Sequence, residues 1–103
     1  PKLYELAHPE VGDGWFALIY MLSKELAVVS QDAQATQIKE KFGGLRFYFM
    51  NATNEGIRAI ETTEARSFKV CEMCGKRGVL REDLGWFKTL CRRHYVIRKR
   101  RTG

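Results

Sequence analysis

Three cysteines and one histidine lie within residues 71–94, and their spacing restricts the fold of this 103-residue chain more than any other feature. Cys71 and Cys74 are separated by two residues, and Cys91 and His94 repeat that spacing after sixteen intervening residues. Thiolate and imidazole groups in this C-x2-C…C-x2-H pattern form the ligand set of one tetrahedral zinc ion. A free reactive cysteine or a redox pair of cysteines would leave the second pair unexplained. We therefore predict one structural zinc, because four protein ligands leave no open position for catalysis.

The residues next to these ligands predict the local structure that holds them. Gly75 directly follows Cys74, and glycine tolerates the left-handed backbone of a tight metal-binding turn, which we call the knuckle. Cys91 and His94 are three residues apart, so the first turn of a helix places both side chains on one side. We therefore expect the first ligand pair on a turn and the second pair at the start of a C-terminal helix.

Two short strands are predicted between the ligand pairs, over residues 78–81 and 86–90, joined by a loop. We expect Trp86 and Phe87 to fill a small core beside the metal, the alternative being that they stack on a ligand. The order of knuckle, hairpin and helix resembles the treble-clef type of zinc finger over residues 71 to about 101. It departs from the finger with two cysteines on a hairpin and two widely spaced histidines on a helix.

The positive charge of the chain is concentrated in the metal-binding part. Residues 1–70, the front half, hold eight Lys or Arg and nine Asp or Glu, a sum of −1, whereas residues 71–103, the finger, hold ten and three, a sum of +7. Together they give the net charge of +6. A zinc ion with three thiolates contributes about −1, so the loaded finger stays strongly basic. Nucleic acid is the commonest partner for such a surface, with an acidic protein or plain solubility as the alternatives.

The predicted C-terminal helix carries most of this charge. A helix dipole favours cations at its C-terminus by only some tenths of a kcal/mol each, which does not account for the four consecutive basic residues 98–101. Contacts to phosphate alone would give salt-sensitive binding without sequence choice. The residues predicted to contact nucleic acid are Arg92, Arg93, Arg98, Lys99, Arg100 and Arg101, with Lys76, Arg77 and Lys88.

The front half begins with a periodic helix over about residues 14–30. Asp13 precedes it and is predicted to cap its first turn. Apolar residues recur at steps of three and four along one face, which indicates a side packed against a core. These residues are Trp15, Leu18, Ile19, Leu22, Leu26 and Val29.

Two strand-like runs follow and flank Gly43 and Gly44, a pattern that predicts a β-hairpin. Side chains alternate along the second strand, so Leu45, Phe47 and Phe49 should face the first helix. On the other face, Tyr48 and Met50 are expected to pack beneath the next helix. The alternative is an exposed hairpin face that stacks nucleobases between cations. That candidate face comprises Lys39, Lys41, Arg46 and Tyr48.

A second helix is predicted from Thr53 or Asn54 to about residue 67, with Thr53 or Asn54 as its cap. Ile57, Ile60 and Phe68 give it a weak apolar face, and residues 61–64 read as a solvated surface. The chain is therefore predicted to be an α+β protein in the order helix, β-hairpin, helix and treble-clef-like finger. Front half and finger are expected to pack as one unit.

Three stretches carry a resemblance to a known group of proteins: residues 12–16 (GDGWF), residues 39–48 (KEKFGGLRFY) and the finger. Together they resemble small zinc-finger proteins of bacteriophages, prophages and bacterial genomes. The resemblance implies a bacterial or viral setting, in the cytoplasm of the bacterium or of a phage host. It is compatible with an accessory regulator, a nucleic-acid binder, or an inhibitor of a host defence or host enzyme.

The remaining sequence patterns bear on the class of function. No run approaches the roughly 18 apolar residues of a membrane span, and residues 1–5 lack a signal-peptide pattern, so we expect an intracellular protein with reduced thiols and no membrane partner. A nucleophile with its base, a phosphate-binding loop and a glutamate near the metal are all missing from the pattern. We therefore predict a non-enzymatic protein without a small-molecule substrate that binds DNA or RNA. The alternative is a protein-interaction module, as a phage or bacterial inhibitor or adaptor.

Overall fold

A computed structural model of the chain describes residues 9–102, so residues 1–8 of the front half and Gly103 lie outside the described part. The elements are a 3-10 helix (Asp13–Trp15), α1 (Phe16–Val29), β1 (Gln34–Lys41), β2 (Gly44–Met50), α2 (Asn54–Ser67), β3 (Val79–Arg81), β4 (Lys88–Leu90) and α3 (Arg92–Thr102). This order confirms the predicted α+β fold. Of the helices described, none is both long enough and apolar enough to cross a membrane.

The first helical segment comprises the 3-10 helix and α1. The hydrogen-bond acceptors for its first amides come from the finger, and not from the residue predicted from the sequence. The prediction that Asp13 caps α1 is wrong: Asp13 opens the 3-10 helix, and Gly12 takes the cap position without any side-chain hydrogen bond. Instead, the amide of Gly12 donates to the Glu72 carboxylate at 3.1 Å, and the amide of Gly14 donates to the Glu72 carbonyl at 2.7 Å. Amides at a helix start need such acceptors because the helix itself offers them none.

The core of the front half lies between α1, the first hairpin and α2. The predicted apolar stripe is confirmed for Trp15, Ile19, Leu22 and Leu26, which are almost fully buried, whereas Leu18 packs at the margin and Val29 is half-buried outside the core. Leu45 and Phe47 are buried against it and Phe49 is half-buried, as the strand alternation predicts. The buried residues of this core are Trp15, Ile19, Leu22, Leu26, Ala35, Ile38, Leu45, Phe47, Ala59 and Ile60.

The hairpin of β1 and β2 is antiparallel and turns one residue earlier than expected. Lys41 lies opposite Gly44, so the turn consists of Phe42 and Gly43, with positive φ angles of 54° and 87°. Two positive φ angles are typical of the tightest hairpin turns, since their twist matches that of the strands. Gly44 belongs to β2 and lies beneath the ring of Phe68, where a Cβ would be 2.2 Å from the Phe68 Cζ.

Helix α2 is capped as predicted and covers one edge of β2. The Thr53 hydroxyl accepts a hydrogen bond from the amide of Gly56 at 3.0 Å. Further along α2, the Glu64 carboxylate accepts from the amide of Phe47 at 2.9 Å, and the Ser67 hydroxyl accepts from Leu45 at 2.8 Å. Glu64 is therefore half-buried and engaged, in contrast to the solvated surface expected for residues 61–64. These bonds satisfy strand amides that β1 does not reach.

The finger has a much smaller core. Strands β3 and β4 pair antiparallel with Val79 opposite Leu90. Leu84 and Leu90 are buried with the ligand Cys71, and Cys91 and Tyr95 pack against them. The expectation that Trp86 and Phe87 fill this core is wrong, since their side chains are 53% and 40% exposed. Strand β4 begins only at Lys88, so both aromatic residues precede it in the connecting loop, and Leu84 occupies the position that they were expected to fill.

Hydrogen bonds join the finger to the front half at both ends of the shared surface. The indole nitrogen of Trp15 donates to the carbonyl of Val70 at 2.8 Å, just before the first metal-ligand position. At the other end, the Thr89 hydroxyl of β4 donates to the carbonyl of Gly43 in the hairpin turn at 2.7 Å. The tip of the first hairpin therefore lies directly against the second.

Candidate functional site: a metal centre and a basic helix

The four predicted ligand atoms lie together at the junction of the knuckle and α3. The sulfurs of Cys74 and Cys91 are 3.8 Å apart, and Nδ1 of His94 lies 3.7 Å from the Cys71 sulfur and 3.2 Å from that of Cys91. All four ligand atoms fall within 4.8 Å of one another. Zinc-like bond lengths in a tetrahedron place two sulfurs about 3.8 Å apart and a sulfur and nitrogen about 3.6 Å apart. The four residues are thus positioned to coordinate one metal ion.

The knuckle is shaped by its own backbone and by a glycine of the front half. Gly75 has a positive φ of 81°, as the turn requires, and its amide donates to the carbonyl of Cys71 at 2.9 Å. The amide of Cys71 in turn donates to the carbonyl of Lys76 at 2.7 Å. Gly14 packs directly beneath: a Cβ there would lie 2.1 Å from the Cys71 carbonyl oxygen. Only a residue without a side chain allows the knuckle to approach the start of α1 so closely.

The second ligand pair is held by the first turn of α3. The amide of His94 lies 3.5 Å from the Cys91 sulfur, a contact that favours the thiolate. Because of this amide and the His94 side chain, the pKa of the Cys91 thiol is lowered to about 6. At Cys74 the amide of Lys76 also favours the thiolate, but desolvation and the thiols of Cys71 and Cys91 outweigh it and raise the pKa. Cys91 is therefore predisposed to the thiolate form that binds metals.

Helix α3 is fixed against the loop between β3 and β4, next to the metal-ligand candidates. The Tyr95 hydroxyl donates to the Asp83 carboxylate, and the Lys99 ammonium donates to the same carboxylate at 3.1 Å and to the Asp83 carbonyl at 2.9 Å. The guanidinium of Arg81 lies over the Tyr95 ring, 4.4 Å from its centroid. The hydrogen bond from Tyr95 first, and that from Lys99 second, hold the pKa of Asp83 below its ordinary value. The orientation of α3 is thus set by both the metal ligands and this cluster.

Most of the predicted nucleic-acid-binding cations are exposed, but two of them have partners within the protein. Lys99 contacts Asp83, and Lys88 lies between Glu40 and Glu72 at 3.4 and 3.3 Å. Lys76 and Arg77 are exposed on the knuckle, and Arg98 is half-buried. The exposed arginines of α3 are Arg92, Arg93, Arg100 and Arg101. The cationic surface offered to a partner is therefore centred on those four residues.

The second candidate surface, on the first hairpin, is also assembled. Lys39 lies directly opposite Arg46 and Gln37 opposite Tyr48, so Lys39, Lys41, Arg46 and Tyr48 share one face. Arg46, Tyr48 and Lys41 are exposed, and Lys39 is half-buried. The expectation that Tyr48 and Met50 pack beneath α2 is wrong, because Tyr48 is 41% and Met50 is 49% exposed. Helix α2 runs along the edge of β2 and leaves this face open.

An aromatic cleft between the two hairpins was not predicted. Phe42 at the tip of the first hairpin and Trp86 and Phe87 of the finger line an open cleft of about 560 Å³. Lys41, Lys88 and Arg98 line it as well. A turn residue such as Phe42 belongs to no strand or helix period, so the one local signal for the cleft is an aromatic side chain directly before Gly43.

Comparison of the chain with protein-family models, with curated proteins and with solved structures found no match. The zinc-finger resemblance of residues 12–16, 39–48 and the finger therefore stays a prediction.

Proposed function

We propose that this protein is a non-enzymatic zinc protein that binds nucleic acid through α3. The observation that carries the proposal is the placement of charge on that helix. Six of the eleven residues from Arg92 to Thr102 are Lys or Arg, and the first turn of the helix is tied to the metal centre. A rigid helix with cations on its exposed sides is suited to contact phosphates.

Zinc is the metal that the donor set favours. Three thiols and one imidazole suit a soft or borderline ion, and tetrahedral geometry with sulfur and nitrogen ligands is typical of structural zinc. The four protein ligands fill such a shell, which supports a structural role and a non-enzymatic protein. The ion would join the knuckle to α3 and so hold the basic helix in place.

The nucleic-acid proposal is tested with variants that remove equal charge from two places. The first carries Arg92→Gln, Arg93→Gln, Arg100→Gln and Arg101→Gln on α3. The matched control removes four exposed cations of the front half, with Lys24→Gln, Arg58→Gln, Arg66→Gln and Lys69→Gln. Fluorescence anisotropy with labelled DNA and RNA oligonucleotides, at 50 and 200 mM salt, measures the affinity of each metal-loaded protein.

We expect the α3 variant to bind at least about tenfold more weakly at low salt. It should also lose up to about 3.6 units of the salt slope, because each of the four lost phosphate contacts lowers that slope by about 0.7–0.9. The control should remain within about threefold of the wild type. Equal losses in both variants would show that net charge alone matters. Absence of any affinity at 50 mM salt would refute the proposal.

The identity of the metal has its own test. Protein purified without chelators should contain one zinc per chain by elemental analysis, and Cys91→Ser should lower that content and weaken metal binding. Met73→Ala is the matched control, since Met73 lies between the ligands of the knuckle and is 44% exposed. A different metal, or none, in the wild-type protein would refute the zinc assignment.

A second candidate function is supported by the surface of the front half. An open groove of about 500 Å³ lies between α1 and α2, and its apolar lining includes Leu18, Leu22 and Met21, the last 62% exposed. Such a surface is typical of protein-interaction sites, as expected for a phage or bacterial inhibitor or adaptor. A pull-down from nuclease-treated bacterial lysate should then recover one stoichiometric partner, and its failure to do so would dismiss this candidate.

A further inference from the structure

We propose that the cleft between the two hairpins binds unpaired nucleobases, so that the protein prefers single-stranded nucleic acid. The inference rests on the proposed function and assigns a substrate class to it. Three aromatic side chains from two separate elements meet in this cleft: Phe42 from the first hairpin, and Trp86 and Phe87 from the loop before β4. Phe42 and Trp86 are 44 residues apart in the sequence, and the fold places both in the lining of this cleft.

The exposure of these side chains indicates a binding surface. Phe42 is 65% exposed, Trp86 53% and Phe87 40%, although each is large enough to serve in a core. Single exposed apolar side chains are ordinary, but three aromatic ones lining one cleft are typical of a surface that a partner covers. Phe42 also adopts a positive φ of 54°, a conformation that costs free energy for a bulky residue. The fold maintains that conformation and presents the ring at the cleft.

The walls of the cleft are fixed relative to each other. Gly43 is held on both sides, since its amide donates to the Glu40 carboxylate at 2.7 Å and its carbonyl accepts from the Thr89 hydroxyl at 2.7 Å. Lys88 bridges the same Glu40 to the finger. A Cβ at position 43 would lie 2.5 Å from a methyl of Leu80, which shows how closely the turn approaches β3. A preorganised cleft loses little conformational entropy when a flat ring enters it.

Charge complementarity selects an anionic occupant. Lys41 lies beside Phe42, with its ammonium 5.9 Å from the ring centroid, and Arg98 reaches the cleft from α3. The carboxylate of Glu40 is the acidic group in the lining, and Lys88 and the Gly43 amide both contact it, which offsets its charge. Aromatic faces flanked by cations match a nucleotide chain, whose bases stack on the rings while its phosphates meet the cations.

Single strands are favoured over duplexes by this geometry. Bases in a duplex are stacked on each other, so an aromatic side chain reaches a base face only when the strand is unpaired. Arg98 connects the cleft to the basic helix, so a strand bound by phosphate contacts along α3 is delivered to the aromatic residues. Phosphate contacts would then supply affinity for any nucleic acid, and the cleft would supply the preference for unpaired bases.

The test compares cleft variants with an aromatic control outside the cleft. The metal-loaded full chain is titrated with a twelve-nucleotide oligothymidine, an oligouridine of the same length and a twelve-base-pair duplex. Phe42→Asn keeps a residue that accepts the positive φ, Trp86→Ala removes the largest ring, and Trp86→Phe retains a stacking face. Tyr20→Ala is the matched control, because Tyr20 is 52% exposed on α1 and lies outside the cleft.

We expect Phe42→Asn and Trp86→Ala to lower the affinity for the single strands by about 5- to 150-fold, the range found for loss of one base-stacking side chain. Trp86→Phe should recover part of the single-strand affinity. The cleft variants should keep the duplex affinity and the salt slope of the wild type, and Tyr20→Ala should bind all three oligonucleotides as the wild type does. Oligonucleotide should also quench tryptophan fluorescence in the wild type and leave Trp86→Ala unquenched, since Trp15 is fully buried.

Each other outcome overturns the inference in a distinguishable way. Tight single-strand binding that survives both cleft variants would refute the cleft and leave the proposed function intact. Absence of binding to all three oligonucleotides would refute both. Quenching by an acidic peptide with none by the oligonucleotides would assign the cleft to a protein partner and refute the inference.

Discussion

The front half and the finger reach a stable fold by different means. In the described part of the front half, ten buried residues form a core between two helices and a hairpin. In the described part of the finger, the hydrophobic core comprises three buried residues, Cys71, Leu84 and Leu90, and one of these is a metal-ligand candidate. A core this small offsets little of the conformational entropy lost on folding, so a metal bound by the four ligand candidates would supply much of the stability. Apolar burial thus dominates in the front half, whereas metal ligation would dominate in the finger.

The two regions nonetheless share the hydrogen bonds at their border. Glu72 of the knuckle accepts from the amides of Gly12 and Gly14, and Val70 accepts from Trp15. Because of these hydrogen bonds, a change in the stability of one region is expected to affect the other region as well. Four changes measure how metal binding, the front core, the border contacts and the Asp83 cluster each contribute to stability, from the largest expected effect to the smallest.

Removal of the metal tests the finger alone. Chelation, or Cys71→Ser, should unfold residues 71–102, because structural zinc contributes on the order of 10–16 kcal/mol in isolated fingers. Helix α1 and the first hairpin should persist on their own core. Hydrogen exchange measures both regions in one sample, with Met73→Ala as the control that leaves the ligands in place. Protected amides in the finger after chelation would contradict the dependence on metal.

Truncation of the central core residue should affect both regions. Trp15 is fully buried and also donates to the carbonyl of Val70, so Trp15→Ala should lower the free energy of unfolding by about 3–5 kcal/mol. Denaturant unfolding measures this loss, and Tyr20→Ala, on the exposed side of α1, should cost less than about 0.5 kcal/mol. Equal losses in the two variants would show that the front core is not built around Trp15.

The border is tested by adding one methyl group. Gly14→Ala places a Cβ against the Cys71 carbonyl oxygen and should cost about 1–3 kcal/mol. It should also weaken metal binding, since the knuckle must shift. The control is Gly85→Ala, where the positive φ of 91° costs about 1 kcal/mol but no atom lies within 4 Å of the added methyl. Unchanged metal affinity in Gly14→Ala would show that the finger folds without regard to the front half.

The smallest effect is expected where α3 meets the β3–β4 loop. Hydrogen bonds from Tyr95 and Lys99 lower the pKa of Asp83 below its ordinary value of 3.8, so the folded state favours the carboxylate. This contribution is present above pH 3.8 and disappears as the pH falls through the lowered pKa. The melting temperature of Asp83→Asn should therefore be slightly lower than that of the wild type, by the same amount at pH 7 and at pH 5. A difference that grows as the pH falls below 3.8 would contradict the assignment.

Features encoded by local spacing were predictable from the sequence. The repeated two-residue spacing identified all four metal-ligand candidates, because a knuckle and a helical turn each bring such pairs together. The apolar period of α1 identified its buried face, and the turn chemistry identified the hairpin and the Thr53 cap. In each case the signal and the structure lie within a few residues of each other.

Features that depend on distant partners were not predictable in the same way. The cap of the first helical segment comes from Glu72, sixty residues away, and replaces the local candidate Asp13. Residue type alone predicts Trp86 and Phe87 in the finger core, because large aromatic side chains are usually buried, yet Leu84 fills that space. Tyr48 faces outward because α2 lies along the edge of its strand and not beneath it, a placement fixed by Glu64 and Ser67.

The acceptance of the first helix amides by Glu72 also bears on the order in which the chain folds during synthesis. Translation releases Gly12 and Gly14 about 60 residues before Glu72, and Trp15 about 55 residues before Val70. The amides of Gly12 and Gly14 at the start of the first helical segment therefore lack these acceptors until the knuckle has been synthesised. Contacts at such separation slow folding, since the intervening chain must be ordered first. The supply of metal to the nascent finger would then govern when the start of the first helical segment becomes complete.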